Sequence, residues 1–139
     1  MNQHAARARV MQMRLVVETS DLDDAVVFYR DVLGLQESLA VESEGGAKVV
    51  VLDAGRATLE LINPAQKRLI DKIEVGRDVA RTIRVAFEVD DAKARTDDLL
   101  AAGAELIAPP TETPWHSLNS RLEAEAGLQI TLFEQLEPE

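Results

Sequence analysis

Arg14 and Arg84 stand 70 positions apart in matching surroundings, and Glu60 and Thr131 form a second pair 71 apart. Arginine presents a flat fork of donors that can grip a carboxylate, enolate or phenolate at two points, whereas a carboxylate such as Glu60 accepts hydrogen bonds or serves as a general base. Glu18 and Glu88 repeat in the same way, each four residues after an arginine. A further group falls within seven residues: Trp115, His116, Asn119 and Arg121. Trp115 can stack on a planar ligand or cover an edge, and His116 can donate or shuttle a proton. Asn119 and Arg121 alternate along a strand-like stretch, as polar groups of a cavity or of a solvated edge strand would. A base at Glu60 needs burial to raise its pKa, and neighbouring arginines act in the opposite sense. The charged residues also admit a purely structural account, a lattice of ion pairs on a wet sheet face.

The chain that must position these groups has 139 residues, 46% hydrophobic and 29% charged, with a formal net charge of −10. That is the size and composition of one globular domain with a single core. The acidic balance argues against nucleic acid and anionic membrane surfaces, both of which require clustered Lys and Arg. No run approaches the ~18–20 apolar residues of a membrane span, and no apolar stretch after Arg7 and Arg9 reads as a signal peptide. Cysteine is absent, so thiol nucleophiles, disulfides and Cys-based zinc sites are excluded. A cytoplasmic protein is the default expectation.

Residues 1–11 read as a loose N-terminal arm. Met13–Thr19 is strand-like and ends at Ser20-Asp21, a helix N-cap signal. Leu22, Ala25, Val26, Tyr29, Val32 and Leu33 then recur at helical spacing up to Gly34, a pattern that places Phe28 and Tyr29 in the core. Strands follow over 36–41, 48–53 and 57–62, separated by glycine turns. Residues 65–81 read as a polar connector with a helical turn around Leu69–Ile73.

The second half repeats the first. Arg84–Asp91 matches Arg14–Asp21, Gly103 matches Gly34 and Leu128–Phe133 matches Ala57–Ile62, at offsets of 70, 69 and 71. The expected fold is therefore α+β, with two βαβββ modules at 12–64 and 82–136 joined by the connector. The second module's helix is expected over 92–102 and its remaining strands near 105–108, 118–123 and 128–134. Alternation puts Leu15, Val17, Val85 and Phe87 under the helices, and Arg14, Glu18, Arg84 and Glu88 on the other face. A sheet curled into a half-open cup would line its cavity with that charged face.

The segment Leu15–Leu35, with its Asp-Leu, Phe-Tyr and Leu-Gly-Leu elements, resembles the opening module of the vicinal oxygen chelate superfamily, which includes glyoxalase I, bleomycin-resistance proteins and extradiol dioxygenases. Val89-Asp90-Asp91, Ala102-Gly103-Ala104, Ile107–Pro110 and Ala126–Glu134 extend the resemblance over about residues 12–136. It implies two βαβββ modules forming a cup, commonly in a homodimer, with a divalent metal held by first- and last-strand ligands of each module. Carried over position by position, those ligands fall on Arg14, Glu60, Arg84 and Thr131, the same four that the internal repeat selects. A guanidinium offers no lone pair and a threonine hydroxyl is a poor ligand, so only Glu60 suits a metal. His4 lies in the arm and His116 in a loop.

The expectation is a small-molecule-binding protein of this superfamily without the usual metal site and without a cofactor, sequestering an antibiotic or other natural product. Its site would draw on Arg14, Glu18, Glu60, Arg84, Glu88, Trp115, Asn119, Arg121 and Thr131. The alternatives are a metal-independent lyase, isomerase or cyclase on an oxygen-rich substrate, with Glu60 and His116 moving protons, and a non-catalytic interaction scaffold.

Overall fold

The computed structural model describes residues 8–32 and 34–137. In chain order the elements are β1 (Gln12–Glu18), α1 (Leu22–Val26) continuing as a π-helical segment (Val27–Val32), β2 (Gln36–Glu42), β3 (Lys48–Ala54), β4 (Ala57–Ile62), α2 (Pro64–Glu74), β5 (Ile83–Glu88), α3 (Ala92–Ala101), β6 (Glu105–Glu112), β7 (Ser117–Glu123) and β8 (Gln129–Gln135). All eight strands form one sheet in the order β2-β3-β4-β1-β5-β8-β7-β6. The two βαβββ modules thus meet edge to edge through β1 and β5.

The internal repeat is visible in the strand register. Within each module the first strand pairs in parallel with the last, Leu15 beside Leu59 and Val85 beside Ile130. The seam between the modules is antiparallel and sets Leu15 opposite Val85, the same position of each module. A local two-fold axis therefore passes between these two residues. The helix starts repeat as well. Asp21 accepts from the Asp24 N–H at 3.2 Å, and Asp91 accepts from the Ala94 N–H at 3.0 Å, each satisfying a backbone donor that the first helical turn leaves free.

Leu22 and Val26 of α1 bury against Leu52 and Leu61, with Val17 and Tyr29 packed alongside. Under α3 the cluster is Val89, Ala92, Leu122, Ile130 and Leu132, with Val85 and Phe87 against it. The opposite face of β1, β3 and β4 carries a separate apolar patch of Val16, Val49, Val51 and Ile62. Alternation thus separates two faces as expected, α1 and α3 on one and the polar residues of the repeat on the other, where α2 also packs.

Three expectations are corrected. The connector is not loosely polar with one turn: Pro64–Glu74 is an 11-residue helix, started by the Asn63 side chain accepting from the Gln66 N–H at 2.8 Å. Phe28 is 57% exposed, because the wider π-helical winding from Val27 rotates it away from the face that buries Leu22 and Val26. Tyr29 stays half-buried and meets the Phe28 ring edge-on, centroids 5.0 Å apart. Finally, β6 runs to Glu112, longer than its sequence signal, because its register against β7 shifts twice around Ile107–Pro110 and resumes at Thr111. Among the described residues, no helix is long and apolar enough to cross a membrane.

Candidate functional site

Residues from near both ends of the sheet line one cavity of about 310 Å³, so the sheet curls around it. Its apolar side comes from Val16 of β1, Leu39 and Val41 of β2, and Val49 and Val51 of β3. Its polar side comes from Arg14, Glu60, Arg84, Asn119 and Thr131. Helix α2 supplies the remaining wall with Gln66, Ile70 and Glu74, positions i, i+4 and i+8 of one helical face. Trp115, 46% exposed, stands at the rim.

The two arginines hold equivalent positions about the local axis and make equivalent diagonal contacts, but with chemically different partners. Arg14 Nη1 reaches Glu60 Oε1 at 3.4 Å, its Nε donates to Gln12 Oε1 at 2.7 Å, and its guanidinium lies 4.9 Å from the centroid of the Phe133 ring. Arg84 Nη1 donates to Thr131 Oγ1 at 2.9 Å. Where the first module sets a carboxylate, the second sets a neutral hydroxyl. Arg84 is only 6% exposed, and no carboxylate oxygen of the described residues lies within 4 Å of it. Burial is the main cause that pulls its pKa below the ordinary arginine value, and the nearby Arg121 charge adds to it. A guanidinium nevertheless stays protonated at neutral pH.

Arg121 is fully buried, and its charge is matched. Its Nη1 donates to Asp71 Oδ1 at 2.9 Å and to Gln129 Oε1 at 3.2 Å, and its Nη2 to Glu74 Oε1 at 2.7 Å. Asn119 Nδ2 donates to the other Glu74 oxygen at 2.8 Å. Burial by itself would raise the Asp71 pKa, but the Ala80 and Val79 N–H groups and Arg121 together hold it below the usual carboxylate range. This cluster clamps α2 onto β7 and fixes the wall of the cavity.

Of the residues picked out in the sequence, Arg14, Glu60, Arg84, Trp115, Asn119 and Thr131 line the cavity. Glu18 and Glu88 do not: they sit at the ends of antiparallel neighbours β1 and β5, beside Ile62 and Gln12 respectively, and so at opposite margins of the sheet. Arg121 lies behind the lining, covered by Asp71 and Glu74. His116 is exposed in the β6–β7 turn with φ 64°, its main chain bonded to Thr113 and Leu136. Sequence reasoning missed Gln66, Asp71 and Glu74. The start signal Asn63-Pro64 was there to be used, but the inward face of α2 is largely polar and gives no apolar period.

The donor set does not fit a divalent cation at the four repeat-related positions, since Arg14 and Arg84 bring positive charge and no lone pair. Among the described residues, no three His, Asp or Glu side chains group as a ligand set. A second hollow of about 320 Å³ lies on the helix side, lined mainly by aliphatic side chains such as Leu99, Leu128 and Ile130, with Arg95 and Glu125 among them. The cup has the more convergent polar chemistry.

A family model, Glyoxalase/Bleomycin resistance protein/Dioxygenase superfamily, matches residues 12–132. Solved structures of similar fold include methylmalonyl-CoA epimerase from Mycobacterium tuberculosis, with TM-score 0.65 and 20% identity over 99% of this chain and 94% of that one. A hypothetical protein from Bacillus halodurans has TM-score 0.66 and 17% identity over 94% and 96% of the two chains. A mutant 4-hydroxymandelate synthase from Streptomyces coelicolor has TM-score 0.60 and 23% identity, over 95% of this chain and 40% of that one. No curated protein matches the sequence. With two repeated modules, a cup between them and a model match spanning both, the chain belongs to the glyoxalase/bleomycin resistance protein/dioxygenase superfamily.

Proposed function

We propose that this chain binds a small organic anion in the cup, an apolar body against the valine side and a carboxylate or enolate on Arg84, with no divalent metal between them. The observation that carries this is the buried Arg84 guanidinium, which lines the cavity yet has only a neutral hydroxyl as its partner among the described residues. A desolvated cation with no carboxylate in contact is costly even with Glu74, Glu60 and Asp71 acting on it at longer range, and an incoming anion offsets that cost through a charge-assisted fork. Sequestration of an antibiotic or other natural product that carries such a group is the physiological form of this proposal.

The test is calorimetric titration of chelator-treated protein with a panel of small carboxylates bearing apolar groups. At least one should bind, and Arg84→Met should weaken it by about 100-fold, in line with removing one partner of a buried charge pair. Undiminished binding in Arg84→Met, or binding that requires an added divalent metal, would overturn the proposal. A second reading, metal-independent proton transfer, is favoured by Glu60, which lines the cavity and among the described residues is held only by the 3.4 Å contact to Arg14. In that case Glu60→Gln keeps ligand binding and loses turnover.

We also propose that a second copy of the chain covers the cup's mouth. The support is the set of large apolar side chains left exposed there, Leu39, Val41 and Trp115, beside the unpaired outer edge of β2.

A further inference from the structure

We propose that the hollow under α3 is a second binding site, separate from the cup, and that it takes a small monocarboxylate with an aliphatic or aromatic body, its carboxylate on Arg95. The hollow, about 320 Å³, is lined by the half-exposed Leu128 and walled by Phe87, Leu99, Ala104, Ile130 and Leu132. An apolar space of ~150 Å³ already suffices for benzene.

The internal repeat accounts for the space. At offsets of 70 and 69, Leu99 stands where the first module has Tyr29, and Ala104 where it has Leu35. Tyr29 and Leu35 pack onto the core under α1, and their smaller counterparts leave the corresponding place under α3 unfilled. Polar contacts fix the first half of α3 and keep it from settling into the gap. The buried Thr96 hydroxyl meets Ala92 O at 2.6 Å and Ser120 Oγ at 2.7 Å, and the Ala92 N–H donates to Glu134 Oε1 at 2.9 Å. Open apolar volume costs stability, and a guest that fills it returns that stability.

Arg95 supplies the charge, at the position where the first module has Ala25, again 70 residues away. Its side chain lines the hollow and is 22% exposed, so a guest can reach it. Nη1 donates to Ala8 O at 2.9 Å, and the ion pair with Asp90 is stretched to 3.8 Å. Among the described residues Nε and Nη2 have no hydrogen-bond partner, which leaves them for a carboxylate to bridge in the two-point grip a guanidinium favours. Glu125, the other charged group of the lining, is exposed in the β7–β8 turn, where water screens its attraction for a cationic guest. The hollow and the cup stand back to back: Arg84 and Thr131 face the cup, and Phe87, Ile130 and Leu132 of the same two strands face the hollow.

The test is calorimetric titration of octanoate into Arg84→Met protein, in which the cup has lost its anion contact. One equivalent should bind, with methyl NMR shifts centred on Leu99, Leu128, Ile130 and Leu132. Restoring the first-module side chains, Leu99→Tyr with Ala104→Leu, should weaken octanoate by at least about tenfold while the chain melts at or above its parent. If that pair fails to fold, Ala104→Leu alone is read in the same way. Arg95→Gln should weaken octanoate about fivefold and leave octanol unchanged. No binding to Arg84→Met, or shifts that fall on Val49 and Val51 instead, overturns the site, and so does full affinity in the folded, filled variant. Equal binding of octanoate and octanol, insensitive to Arg95→Gln, overturns the assignment of the carboxylate.

Discussion

A buried arginine with no carboxylate in contact among the described residues is tolerated only at a cost, and Arg84 gives that cost a measurable form. Replacing it with methionine removes the desolvation penalty, so ligand-free Arg84→Met should melt higher than wild type, by an amount on the order of 1 kcal/mol, while losing the ligand. Arg121 is the contrasting case. Arg121→Met strands two buried carboxylates, Asp71 and Glu74, and should cost about 3–5 kcal/mol in denaturant unfolding. His116 holds a left-handed backbone conformation at φ 64°, so His116→Gly should stabilise the fold by about 1 kcal/mol with ligand affinity unchanged. Residue types and spacing revealed the four symmetry-related positions well. They did not reveal that the Arg84 contact would be dry and the Arg14 contact wetter, because burial depends on what crosses over the sheet from elsewhere in the chain.

Helix α2 is what crosses over, and it is the element the sequence hid most effectively. Strands β1, β3, β4 and β5 announce themselves by alternation, and α1 and α3 by an aspartate before and a glycine after them. In α2 the inward positions are Gln66, Ile70 and Glu74, two of them polar, because they face a cavity and a buried arginine instead of an apolar core. Leu69, Ile70 and Ile73 signal a helical turn there but say nothing of the polar residues on its inward face. Its attachment through Asp71 carries a pH signature. The folded-state pKa lies below the ordinary carboxylate value, so the stabilisation is complete at neutral pH and is lost as pH falls below about 4 and through the lowered value. Melting temperature should therefore drop in that acidic range. Asp71→Asn should flatten part of the drop while lowering stability at pH 7 by ~3 kcal/mol, measured by urea unfolding at a series of pH values.

At the scale of the whole molecule, a net charge of −10 surrounds a cup whose unmatched charge is positive. The long-range field opposes an anionic ligand that the local contact favours. Screening should raise the association rate, so stopped-flow on-rates for a carboxylate ligand should increase between ~10 and ~150 mM salt, with a smaller change in the off-rate. An on-rate that falls with salt would show instead that the local field of the arginines outweighs the net charge. The exposed Leu39, Val41 and Trp115 lead to an expected dimer in sedimentation, which Val41→Lys should shift toward monomer.

The local two-fold axis between Leu15 and Val85 has a consequence for how a ligand sits. A cup with identical halves would offer its guest two equivalent poses related by a half-turn, and a catalyst or carrier built that way could not tell one end of an unsymmetrical molecule from the other. A carboxylate beside Arg14 and a hydroxyl beside Arg84, together with the valine lining of the first module alone, lift the degeneracy. The cavity acquires a head and a tail.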